Sequence, residues 1–250
     1  MWTRAKLLCI HAMTSCRLGH WLESRMERPF GRREVMKGVS VVEEKLPLYI
    51  CEHADFACSP LDDLVWDRLL AIRLRDIVTG GQPRLSTAVK VCWNRLREAI
   101  YFRFTCDDDH VIATMTNHDD SLYEEDVVEV FICDTGKFSE YKEFEVSPAN
   151  VKFDAIIQYD LDRPPIQVVR EWHAIDWKTV TRVSESGYVS IWELPLRNFS
   201  VGTPSVGDIW RINFFRIDRG GGQPDEFSAW SPVGTMQFHT PEKFGFLQFA

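Results

Sequence analysis

The chemistry this chain can offer lies in acids set beside aromatics. The stretch His118–Asp134, HDDSLYEEDVVEVFICD, holds seven carboxylates in seventeen residues and ends in an apolar run that Glu129 interrupts. Side chains on a strand alternate between two faces, so Val128, Val130 and Ile132 share one face while Val127, Glu129, Phe131 and Cys133 share the other. The first face must meet a core. The second must accept a charge, in solvent, in a groove or in a binding site. In YKEFEV, Glu145 falls on the same face as Tyr141 and Glu143. If that strand neighbours the first, Glu129 and Glu145 repel unless a cation lies between them. Arg103 and Arg216 are the candidates, as a buried tie within the sheet or as part of a groove. Trp230 stands in the polar, turn-rich EFSAWSPVG, where it can fold over the edge of the body or offer an indole face. An exposed indole stacks on the C–H face of a pyranose while carboxylates and guanidinium groups take the hydroxyls. Tyr123, six residues before Glu129, would supply a second wall.

Catalytic signatures are lacking. The chain has no G-x-S-x-G, H-E-x-x-H, Walker loop or glycine fingerprint after a strand. Carboxylates are plentiful, so a glycoside hydrolase remains a rival on residue type, as does a sandwich that serves as an interaction module without a sugar. No cofactor is called for. The oxygen-rich loops CDDDH (106–110) and NHDD (117–120) are where a structural calcium would go, although neither has EF-hand spacing.

The elements that must position these residues are short and extended. TAVKVCWN, AIYFRFTC, the run through Glu129, YKEFEV, KFDAIIQ, KTVTRV, GYVSIWEL, DIWRINFFRI and FGFLQF make nine strand candidates about ten residues apart. Turn residues separate most of them. This spacing predicts an all-β protein, an antiparallel, jelly-roll-like β-sandwich. PLDDLVWDRLLAIRLRDI (60–77) is the one helix-like stretch, and it could also hold an edge strand. DRGGGQPDE reads as a loop.

The formal net charge of −8 is unevenly spread. Residues 1–38 carry eight Lys/Arg and three Glu, a balance of +5, and the remaining 21 Lys/Arg and 34 Asp/Glu leave −13. An acidic body repels phosphate, which argues against nucleic acid as a partner. No apolar run approaches the ~20 residues of a membrane-spanning helix. The expected division is a tail without structure over 1–38 and one sandwich domain over 39–250. The start MWTRAKLLCIHAM imitates a signal peptide, but His11 interrupts a short apolar stretch. Seven cysteines without C-x-x-C spacing read as small buried hydrophobes and lean toward a reducing compartment.

Eight strings occur in order: STAVKVCWN, IYFRFTCDDD, LYEEDVVEVFI, YKEFEVSPAN, IWELPL, IWRINFFRID, SAWSP and FHTPEKFGFLQF. Together they resemble carbohydrate-binding module family 9 and its family 9-like relatives over about residues 60–250. The resemblance implies a β-sandwich that binds poly- or oligosaccharides without catalysis, often beside a glycoside hydrolase. It implies that Glu129 is the sugar-binding acid of the strand, Trp230 the C-terminal clamp aromatic and Tyr123 the opposite wall. The sequence departs from the pattern at the centre of FEV, where sugar-binding members carry Arg and this chain carries Glu145.

Overall fold

The computed structural model describes residues 45–56, 65–159 and 166–250. They belong to a compact unit spanning Glu44–Ala250. The tail expected over 1–38 lies outside the described residues, as do Cys9, Cys16 and Cys58.

The described residues form fourteen strands. The first five are β1 (Leu48–His53), β2 (Ile72–Arg73), β3 (Arg75–Asp76), β4 (Thr87–Asn94) and β5 (Ala99–Asp107). Then come β6 (Val127–Cys133), β7 (Glu140–Val146), β8 (Lys152–Gln158), β9 (Gln167–Val169) and β10 (Lys178–Ser184). The last four are β11 (Gly187–Pro195), β12 (Ile209–Asp218), β13 (Glu226–Ala229) and β14 (Gly245–Phe249). One short helix, Val65–Arg68, and two short edge strands, β2 and β3, occupy the described part of the stretch that reads as helical in sequence. Among the described residues no helix is long and apolar enough to cross a membrane.

Two layers result. The order β1-β14-β12-β6-β7-β8-β9 forms the first, with β13 and β3 beside β12, and β10-β11-β5-β4 with β2 forms the second. Strand β1 belongs to both: Leu48–Cys51 pair with β14 and Glu52–His53 with β4, each in parallel. Those two parallel pairings are a departure from the antiparallel expectation, and the other ladders are antiparallel.

Alternation decides what fills the interior. Val89, Val91 and Trp93 of β4, and Ile100, Phe102 and Phe104 of β5, enter one core cluster with Val128, Val130 and Ile132 of β6 and Phe214 of β12. Each such side chain contributes about 1.5–3 kcal/mol by leaving water. The outer face of the first layer is apolar too. Val127, Phe131, Tyr141, Phe153 and Phe215 form a second cluster beneath half-buried loop side chains. A small third cluster, with Trp66 and Tyr101, backs the second layer. Cys51, Cys92, Cys106 and Cys133 are buried. At Gly187, which opens β11 with φ 138°, a Cβ would lie 1.9 Å from the Cys106 carbonyl oxygen, so only glycine fits.

Candidate functional site

Register places Glu129 and Glu145 as direct cross-strand partners, and Glu143 opposite Phe131, on the outer face of the first layer. One carboxylate oxygen from each of Glu129, Glu143 and Glu145 lies within 4.8 Å of the others. All three acids are buried, at 2%, 4% and 1% exposure. Period-2 alternation in YKEFEV already put Glu143 on this face, so its membership was legible in the sequence. Its burial was not, because the cover comes from distant loops.

Aromatic side chains surround the triad. Phe215 is the β12 partner of Glu129, and Phe153 is the β8 partner of Glu145. Phe238 stacks on Phe215 at 4.7 Å between ring centroids and meets Phe227 edge-on at 6.3 Å. Tyr123, Phe227 and Phe238 are half-buried against this cluster. A cation on this face is Arg170, whose guanidinium stands 4.9 Å from the Phe153 ring centroid.

A second cation, Arg219, joins two of the walls. Its guanidinium lies 5.3 Å from the Phe227 ring centroid, bonds the Tyr123 carbonyl oxygen and pairs with Asp225 at 2.8 Å. Its backbone N–H donates to Asp126 Oδ1 at 2.6 Å, and Ile112 N–H donates to Asp126 Oδ2 at 2.5 Å. Burial pushes the Asp126 carboxyl above the usual range, against the pull of these two N–H groups. Asp126 thus staples two loops to the start of β6. Neither Arg170 nor Arg219 announces itself in the sequence, since each reaches the face from a loop.

Three residues expected beside Glu129 lie elsewhere. Trp230 is 7% exposed and belongs to the inter-layer core. Ser228 and Ala229 of SAWSP end strand β13, and Trp230 follows it directly. Ile217 pairs with Phe227 and Phe215 with Ala229, and the Trp230 N–H then donates to the Phe214 carbonyl. Trp230 therefore turns inward with Phe214, at 5.6 Å between rings, and Gly245 leaves room for the indole. The aromatic that the same register turns outward is Phe227.

Arg216 also points inward, opposite Val128. It crosses between the layers, donating to Thr87 Oγ1 at 3.1 Å, the Asp107 carbonyl at 2.7 Å, Asp108 at 2.9 Å and Asp218 at 2.5 Å. Desolvation outweighs the attraction of Arg216 and holds the Asp218 carboxyl at about 6, with Asp108 and Asp126 adding repulsion. Arg103 pairs with Lys90 and Ile191 on the outer face of the second layer, the far side of the sandwich. There it lines a cavity of about 320 Å³ with Arg182, Ser184 and Tyr188. Two of the three acids of CDDDH are already engaged, since Asp108 holds Arg216 and Asp109 holds Arg84 at 2.5 Å.

Fold and site together define a β-sandwich with an acid-floored, aromatic-lined outer face. One family model, described as carbohydrate family 9 binding domain-like, matches residues 60–250, and the chain belongs to that family. Among curated proteins, an "extracellular protein" of Arthroderma benhamiae is 28% identical over 180 residues, which is 67% of this chain and 80% of that one. Among solved structures, a carbohydrate-binding module family 9 protein from Caldicellulosiruptor kristjanssonii in complex with glucose superposes with a TM-score of 0.61. Sequence identity there is 15%, over 82% of this chain and 96% of that one. A complex with cellotriose from the same organism gives a TM-score of 0.60 at 15% identity, over 81% and 93%. At these identities the likeness is one of fold.

Proposed function

We propose that this protein binds carbohydrate without catalysis, on the outer face of the first layer, with Glu129, Glu143 and Glu145 beneath Tyr123 and Phe227. The observation that carries the reading is the carboxylate triad itself. Three acids set side by side among aromatics are costly to bury, and they match the needs of a polyol, whose hydroxyls donate to charged acceptors while ring C–H faces stack on aromatics. Family membership supports the same reading, and so do the glucose and cellotriose bound by proteins of the same fold. In place of the arginine that sugar-binding members carry in FEV, Arg170 and Arg219 would be the donors here, both arriving from loops. Such a module would bring a glycoside hydrolase, attached or separate, to its polymer.

Calorimetric titration with glucose, cello-oligosaccharides and xylo-oligosaccharides tests the proposal. Saturable binding to at least one, weakened by Phe227→Ala, is the expected result. A folded protein that binds none of them, or turnover abolished by replacing a single carboxylate, would overturn it.

A further inference from the structure

A second cluster lies outside the acid triad and uses different chemistry. His118 and Asp119 sit in the loop before β6, Asp154 on β8, and His173 between β9 and β10. One ligand-type atom from each of the four lies within 4.8 Å of the others. His118 Nε2 is 3.1 Å and His173 Nδ1 3.2 Å from the same oxygen, Asp154 Oδ1. Asp119 completes the ring, with Oδ1 3.6 Å from His118 Nε2 and Oδ2 3.9 Å from His173 Nδ1. Four ligands at bond lengths of about 2.0–2.1 Å from a tetrahedral ion stand roughly 3.3 Å apart, close to these separations.

The surroundings favour an ion at the centre. Asp154 has 2% side-chain exposure, and its Oδ2 is occupied by the Ala174 N–H at 2.5 Å, which leaves Oδ1 facing both imidazoles. Asp119 Oδ1 is buried and accepts no hydrogen bond. Asp119 is held at φ 65°, a left-handed conformation that is costly for a residue other than glycine. Its N–H donates to the Lys152 carbonyl, and its own carbonyl accepts from Arg170, so its backbone is pinned on both sides. Two carboxylates this close repel unless a cation lies between them, and a divalent ion with two neutral imidazoles makes the set neutral. Both histidine side chains are partly open, at 43% and 50%, which gives an ion access.

We propose that His118, Asp119, Asp154 and His173 bind a divalent transition-metal ion of the zinc class, which ties the 117–120 loop and the 172–174 segment to β8. Two nitrogens and two oxygens suit zinc, whereas calcium takes six to eight oxygens. The NHDD loop is therefore a metal loop of a different kind from the calcium loop its sequence suggests. Asp154 projects from the face of β8 opposite the sugar site, and Arg170, which bonds the Asp119 carbonyl and stands on Phe153, touches both sites.

The test uses the full chain, stripped with a chelator and dialysed. Titration with Zn²⁺ should give one equivalent with a dissociation constant below about 10 µM and a higher melting temperature. Co²⁺ should give the visible absorption of a tetrahedral complex, and millimolar Ca²⁺ should not compete. The double variant His118→Ala/His173→Ala should lose at least about 100-fold in zinc affinity. His173→Gln, which leaves His118 in place, should bind with intermediate affinity and guards against a double variant that fails to fold. Zinc affinity unchanged in the folded variants, no stoichiometric zinc, or Ca²⁺ bound in its stead would each overturn the proposal.

Discussion

Glu129 and Glu145 face each other directly across β6 and β7, and their partners on the outer strands are the aromatic rings of Phe215 and Phe153. Charged acceptors make the stronger hydrogen bonds to hydroxyls. Glu129→Gln keeps the shape, removes the charge and turns one acceptor into a donor. Sugar binding should weaken by about 1.5–3 kcal/mol, while relief of repulsion among the three acids limits the loss of stability. Calorimetry and denaturant unfolding on the same variant separate the two effects. Unchanged sugar affinity with a large stability loss would make Glu129 a structural strut.

Trp230 and Phe227, three residues apart, should behave in opposite ways. Trp230→Ala empties a core site between Phe214 and Gly245 and should cost about 3–5 kcal/mol of stability. Phe227→Ala should cost less stability and about tenfold in sugar affinity, the worth of one aromatic contact. Urea unfolding and sugar titration of both variants check the pair. The reverse pattern would restore Trp230 as the platform.

Arg216→Ala leaves Asp108 and Asp218 buried without their cation and should destabilise by about 3–5 kcal/mol. Arg103→Ala, on the outer face of the second layer, should leave sugar affinity unchanged. Loss of sugar binding in folded Arg103→Ala would move the site to that face.

Asp218 gives a pH dependence of defined sign. Its carboxyl titrates at about 6 in the folded protein and near 3.8 when unfolded. Between those values the native state holds the extra proton, so this residue's contribution to stability falls as pH rises from about 4 to 6 and is flat above. Asp218→Asn cannot titrate. The stability of the natural protein minus that of the variant should therefore fall across this window, by at most about 3 kcal/mol and by less where water screens the charge. Unfolding curves at pH 4, 5, 6 and 7 measure it, and a difference that rises with pH would refute the assignment.

Much of the architecture was legible because β-sheets write a period of two into the chain. The strands carrying Val89, Phe102, Val130, Phe144 and Phe214 show it plainly, and alternation alone put Glu129, Glu143 and Glu145 on one kind of face. Strands β1, β9 and β13 were not legible: β1 divides its pairing between two layers, and β9 and β13 are three and four residues long.

What the sequence determined by itself is therefore the sandwich, the family and the facing of each residue within its own strand. Only the tertiary structure decided which faces meet. Arg103 and Glu129 both point outward, yet from opposite layers, and no local pattern records which layer a strand joins. Trp230 turned from a surface platform into core because β13 pairs with β12 up to Ala229 and the Trp230 N–H then bonds the Phe214 carbonyl. His118 and Asp119 met Asp154 and His173 for the same reason, since contacts between residues distant in the chain are fixed by strand order and register, which depend on the whole chain at once.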